Sequence, residues 1–122
     1  MSTYKQHLDL ANERFDSAEN LFDEGKDHTA AHLYINSVIN YHNAACQKFL
    51  EKIPSHKHHL DTSYFNELSK YIGTDFPEYK QAYKTIMPFK SQADYGIGLS
   101  FNATEKIRKR AQKIREIIEP LL

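Results

Sequence analysis

Hydrophobic residues recur at helical spacing over the stretch from Thr29 to Ile53. They form a line with steps of three and four residues, and other apolar residues widen it on both sides. The line consists of Ala31, Ile35, Val38, His42, Ala45 and Phe49. An apolar face this broad is typical of a helix that packs against more than one neighbour. We therefore predict that this stretch is the central helix of an all-helical domain.

The stretch before it has the same helical period and predicts a first helix from about Thr3 to Glu24. Ser2 or Thr3 can cap its start, and Gly25 is placed to end it in a left-handed turn. A short turn at 26–28 should then join the two helices. A turn this short implies an antiparallel pair.

After the central helix, a short helix is expected from residue 61 or 62 to Gly73, following a loop that contains Pro54. Asp75 and Glu78 have the spacing of a capping box, which should begin the next helix. Pro77 fits the first turn of that helix, where the missing N–H of proline costs little.

The last third of the chain predicts a kink and a final helix. Pro88 should kink or break the helix that contains it, and residues 89–95 should continue as helix. Asn102 and Glu105 form a second predicted capping box, at the start of a helix that runs to the end of the chain. No stretch alternates with period two. We predict one all-α domain, 1–122.

Composition narrows the function classes. The chain has 122 residues and a formal net charge of zero, so no overall field attracts nucleic acid or acidic lipid. The one cysteine, Cys46, cannot form an internal disulfide, which favours a reducing cytoplasm. No apolar run approaches the roughly 20 residues of a membrane span, so we expect a cytoplasmic protein without a membrane partner.

Histidines are the first candidates for chemistry. His56, His58 and His59 lie in one loop, but their spacing matches no zinc signature, so we predict a solvated loop and no metal or cofactor. His42 lies on the apolar line of the central helix. It is expected to be a buried histidine bonded to a neighbouring helix, or else a polar group that faces a cleft or a second copy of the chain.

The basic residues of the last helix are the second candidate. Six Lys and Arg occur within ten residues: Lys106, Arg108, Lys109, Arg110, Lys113 and Arg115. Such a face could line phosphates. The alternative is an exposed helix whose charges partly pair with the acidic first helix, and it is favoured because no aromatic residues interleave the basic run.

Several segments together resemble a known family. They are Tyr34, the run Tyr41-His42-Asn43-Ala44-Ala45, Ser55-His56, Phe65, and the run Phe89-Lys90-Ser91-Gln92-Ala93-Asp94-Tyr95. In this order between long helices, they resemble the HEPN domain, the higher eukaryote and prokaryote nucleotide-binding helical bundle. The likeness is greatest to its small stand-alone prokaryotic members, and the run ending Ala93-Asp94-Tyr95 carries most of it.

The resemblance implies that this all-α domain is an up-and-down bundle of four main helices, here with an extra short helix, and that it forms a homodimer. Many members are ribonuclease toxins paired with a nucleotidyltransferase antitoxin, and they use an Arg followed four to six residues later by a His. In this chain Arg108, Arg110 and Arg115 have no His after them. Lys90 stands where the family often has Arg before Ala-Asp-Tyr, which keeps the charge but loses the bidentate fork. We therefore predict no catalytic residues.

The leading hypothesis is a dimeric HEPN-like protein, not catalytic alone, that binds nucleotide, RNA or a nucleotidyltransferase partner. Its candidate binding residues are Lys90, Asp94, Tyr95, His42 and His56. A ribonuclease with a non-standard His site is the second hypothesis. A scaffold of tetratricopeptide-like helical hairpins is the third, although the 34-residue self-similarity of such repeats is missing.

Overall fold

A computed structural model describes residues 3–52, 62–95 and 99–122. These residues form six α-helices joined in places by short 3₁₀ turns, and they contain no strand. The helices are α1 (Tyr4–Asp23), α2 (Asp27–Leu50), α3 (Thr62–Ile72), α4 (Phe76–Ile86), α5 (Lys90–Tyr95) and α6 (Phe101–Ile118). The predicted all-α class is confirmed.

Helices α1 and α2 form the antiparallel pair that the short turn predicted. Thr3 caps α1 in a capping box with Gln6, and Gly25 ends the helix with a φ of +79°. The connection is shorter than predicted, because α2 already begins at Asp27. Hydroxyl groups of α2 then bind α1, with Tyr34 donating to Glu19 over 2.5 Å.

Helix α2 is the centre of the bundle, as its broad apolar face predicted. Half of its 24 residues are buried, and it contacts α1, α3, α5 and α6. The buried residues are Ala30, Ala31, Tyr34, Ile35, Ser37, Val38, Asn40, Tyr41, His42, Ala44, Ala45 and Cys46. The helix ends at Leu50 rather than at the predicted Ile53, since Glu51 adopts a left-handed φ of 58°.

The chain passes from α3 to α4 with almost no interruption. Gly73–Asp75 forms a 3₁₀ turn, so the backbone of Asp75 is itself helical, with φ −83° and ψ −4°. The predicted capping box at Asp75 is wrong, because a capping residue needs a non-helical backbone and the Asp75 side chain makes no cap bond. Pro77 does occupy the first turn of α4.

Two features set the start of the last two helices. Pro88 lies in a 3₁₀ turn, Met87–Phe89, which breaks α4 from α5 as predicted. Ser100 caps α6 by accepting a hydrogen bond from the Ala103 N–H at 3.1 Å. Asn102 therefore falls inside the first turn of α6, and the capping box predicted there is also wrong.

Long-range contacts fix the directions of the helices. Lys48 at the end of α2 donates to the Leu121 carbonyl at 3.0 Å, so α2 and α6 end at the same side of the bundle. Lys113 in the second half of α6 pairs at 3.5 Å with Glu78 at the start of α4. Helices α1 and α4 thus run opposite to α2 and α6. This is the predicted up-and-down bundle of four main helices. Two short helices, α3 and α5, accompany it, where one was predicted.

The surface of the bundle exposes few large apolar side chains. Among the side chains that the structure describes, only Tyr71 and Phe101 qualify, at 39% and 54% exposure. No helix in the described ranges is long and apolar enough to cross a membrane.

Candidate functional site

The predicted pair Lys90 and Asp94 forms an ion pair on the surface of α5. The break at Pro88 ends α4 and lets α5 pack against α2. Within α5 the two residues are one helical turn apart, and Lys90 Nζ lies 2.7 Å from Asp94 Oδ2. Their side chains are 32% and 35% exposed, so the pair is accessible from solvent.

Two residues of α2, His32 and Asn36, complete this group. His32 Nδ1 lies 3.1 Å from Asp94 Oδ1 but makes no hydrogen bond, so the contact is electrostatic when the ring is protonated. Asn36 Nδ2 lies 3.1 Å from His32 Nε2 and donates to the His32 carbonyl at 2.9 Å. We call His32, Asn36, Lys90 and Asp94 the polar cluster.

The polar cluster can bind an anion more readily than it can hold a metal. A lysine ammonium has three N–H donors, of which Asp94 takes one, so Lys90 can offer others to an oxyanion. His32 and Asp94 are the only metal-ligand types in the cluster. Across the ranges 3–52, 62–95 and 99–122 the structure contains no group of three or more His, Cys, Asp or Glu that could hold a metal ion.

Two predicted binding residues cannot be placed beside the cluster. His56 lies outside the described residues, together with the rest of its histidine loop. Tyr95 is the last residue of α5, but its side chain is outside the described part of the structure.

His42 lies in the core rather than at a binding surface. It is fully buried, and its Nδ1 is hydrogen-bonded to the Tyr79 hydroxyl of α4. The expectation that His42 bonds a neighbouring helix is therefore confirmed. Its place among the binding residues is corrected, because a ligand in solvent cannot reach a side chain that is sealed between helices.

Cys46 lies one turn from His42, with its sulfur 3.6 Å from His42 Nε2. Burial raises the pKa of the Cys46 thiol to about 12, and the nearby charge of Glu67 acts in the same direction. The thiol is therefore protonated at neutral pH and unreactive, because the thiolate is the nucleophilic form.

Charge pairs join the face of α6 that lies toward α1. This agrees with the prediction that the basic residues of the last helix partly pair with the acidic first helix. Arg108 binds Glu19 through two hydrogen bonds of 2.9 and 3.1 Å, and Arg115 binds Asp16 at 2.9 Å. Burial opposes the charge of Glu19, but the hydrogen bonds from Arg108 and Tyr34 outweigh it and lower the pKa of that carboxyl. These pairs join α1 to α6 and have a structural role.

Sequence reasoning missed His32 and Asn36. The signal was available locally, since both residues lie beside the apolar line of α2 and are one turn apart. What the sequence could not show is that α5 would pack against this part of α2. Compared with known proteins, the chain matches no family model, no curated protein and no solved structure. The HEPN resemblance stays a prediction.

Proposed function

We propose that this chain is a cytoplasmic, HEPN-like protein that forms a dimer, has no catalytic activity on its own, and binds nucleotide or RNA. The polar cluster is its binding surface. The dimer and a nucleotidyltransferase partner are proposed from the sequence resemblance alone. A free buried thiol at Cys46 is compatible with a reducing compartment.

One observation supports the polar cluster as the binding surface. Lys90 and Asp94, which come from the segment with the most specific resemblance, form a half-exposed pair that His32 joins from a different helix. Residues 62 positions apart in sequence are thereby brought to one spot. Lys90 and Asp94 are one turn apart on the same helix, and such pairs stabilise a protein by only about 0.3–0.5 kcal/mol, so a role in stability alone is a weak reason for the arrangement.

A phosphate group would bind by sharing Lys90 with Asp94. The ammonium group would keep its bond to Asp94 and direct another N–H to a phosphate oxygen. Asp94 repels the phosphate but also holds the lysine in place, which lowers the entropy lost on binding. A protonated His32 would add a second positive charge and offset the carboxylate.

The other two hypotheses have weaker support. A ribonuclease that works through His42 is not proposed, because that ring is buried and bonded to Tyr79. A tetratricopeptide-like scaffold is not proposed either, because α6 packs against both α2 and α4, so the helices close into a bundle instead of extending a row of hairpins.

The test is a calorimetric titration of the full chain with ATP, ADP, AMP and a short single-stranded RNA. Lys90→Gln removes the charge, and Lys84→Gln is a matched control at an exposed lysine near the end of α4. We expect Lys90→Gln to weaken binding about tenfold, as the loss of one charge-assisted hydrogen bond would. Lys84→Gln should leave the affinity unchanged. Equal affinities for the two variants, or no binding of any of these ligands, would overturn the proposal.

A further inference from the structure

The basic residues of α6 divide into two sets with different surroundings. Arg108 and Arg115 bind carboxylates of α1. Lys109 and Lys113 make exposed pairs with Glu105 and Glu78, at 3.1 and 3.5 Å. Lys106 and Arg110 have no carboxylate within 4 Å among the residues that the structure describes. We call Lys106, Lys109, Arg110 and Lys113 the α6 basic face.

Positive charge on this face is incompletely balanced. Lys106 lies three residues before Lys109 and four before Arg110, and like charges at these spacings repel each other on a helix. The first turn of α6, where acidic side chains would be favourable, contains none. An anion from outside the chain would relieve this repulsion, which is the first reason to expect one here.

The shape of the surface also suits an anionic ligand. A shallow depression of about 300 Å³ lies on the face, lined by Asn102, Glu105, Lys106, Lys109 and Arg110. Phe101 immediately precedes Asn102, but its ring stacks on Phe22 of α1 at 5.6 Å between centroids and does not line the depression. Residues 106 to 113 span about 10 Å along the helix axis, enough to follow more than one phosphate of a strand.

We propose that the α6 basic face binds the phosphodiester backbone of a single-stranded nucleic acid. Lys106 and Arg110, which have no carboxylate partner among the described residues, supply the sequence-independent attraction to the phosphates. A membrane surface fits less well, because membrane-binding helices expose a row of apolar side chains and Phe101 is the one large exposed apolar residue of α6. The inference takes its ligand class from the proposed function but concerns a different surface.

The experiment measures fluorescence anisotropy of labelled 12-residue oligo(U) and oligo(dT) with the full chain, between 50 and 300 mM KCl. The test variant is Lys106→Gln with Arg110→Gln. The control is Lys5→Gln with Lys84→Gln, which removes the same charge at exposed lysines of α1 and α4. The test variant should weaken binding at least tenfold at low salt and lower the slope of log K against log salt by about 1.4, since each lost phosphate contact removes about 0.7 on a single strand. The control should behave like wild type.

Several results would overturn the inference. These are an unchanged affinity and slope in the test variant, equal losses in the two variants, or binding of anionic vesicles or polyglutamate with the same dependence while neither oligonucleotide binds. The Lys90→Gln variant separates this inference from the proposed function. If nucleotide binding depends on Lys90 but oligonucleotide binding ignores Lys106 and Arg110, only the inference fails. If no mononucleotide binds but the oligonucleotides bind through Lys106 and Arg110, the inference stands and the polar cluster is the wrong site.

Discussion

His32 and His42 belong to the same helix, yet their surroundings are opposite. His42 is fully buried between Tyr79 and Tyr83, whereas the His32 side chain is 42% exposed beside Asp94. Ten residues at about 100° each leave the two side chains roughly 80° apart around the helix axis. That rotation is enough to move an imidazole from the centre of the core to its edge. The position of a histidine around the axis of α2, and the helix that covers it, therefore determine whether it serves stability or binding.

The largest expected change in stability distinguishes the structural role of His42 from the binding role of His32. His42→Ala should lower the free energy of unfolding by about 3 kcal/mol, because it opens a cavity and removes the partner of the Tyr79 hydroxyl. His32→Ala should change it by less than about 0.5 kcal/mol, since the side chain is a partly exposed surface group. Urea denaturation followed by circular dichroism measures both. Similar losses for the two variants would contradict the assignment.

A smaller effect isolates the hydrogen bond in the core. Tyr79→Phe keeps the ring but removes the hydroxyl that binds His42 Nδ1, and should cost about 1–2 kcal/mol. The matched control is Tyr71→Phe, where the ring is 39% exposed and stacks on Phe49 at 4.8 Å. That change should be close to neutral. If Tyr79→Phe were as stable as wild type, the hydrogen bond between His42 and Tyr79 would contribute nothing to stability.

The smallest effect concerns Glu19, which is partly exposed like His32 but structural like His42. Glu19→Gln should cost about 1 kcal/mol at pH 7, a value set by the exposure of its pair with Arg108. The folded-state pKa of Glu19 lies below its ordinary value of 4.5, so the unfolded state binds protons first as pH falls. The advantage of wild type over the variant should thus be complete above about pH 4.5 and disappear as pH drops below it. Thermal melts of both proteins at pH 7, 4.5 and 3 measure this difference, and a constant gap across the series would rule out the ionised pair as its source.

Much of the fold could be predicted because helix period and helix stops are local properties. The line from Ala31 to Phe49, the left-handed turn at Gly25 and the break at Pro88 all follow from neighbours in sequence. The helix starts were less predictable. Ser100 and Asn102 are both good capping residues, and only the path of the chain into α6 decides that Ser100 takes the role.

Only the part of the candidate site that lies within α5 was predictable from the sequence. Lys90 and Asp94 are four residues apart, so their pairing follows from helical spacing alone. His32 joins them because the break at Pro88 directs α5 against α2, and that approach depends on the packing of the whole bundle. For the same reason, the sequence could not tell which cations of α6 would meet α1 and which would remain at the surface.

Nuclear magnetic resonance can show whether the polar cluster, and not the buried histidine, binds the ligand. Amide signals of the ¹⁵N-labelled full chain would be followed while ADP or a short RNA is added. We expect the largest shifts in α5 and around His32 and Asn36, while the amides around His42 and Tyr79 stay unchanged. Shifts centred on His42 and Tyr79, with α5 unaffected, would contradict it.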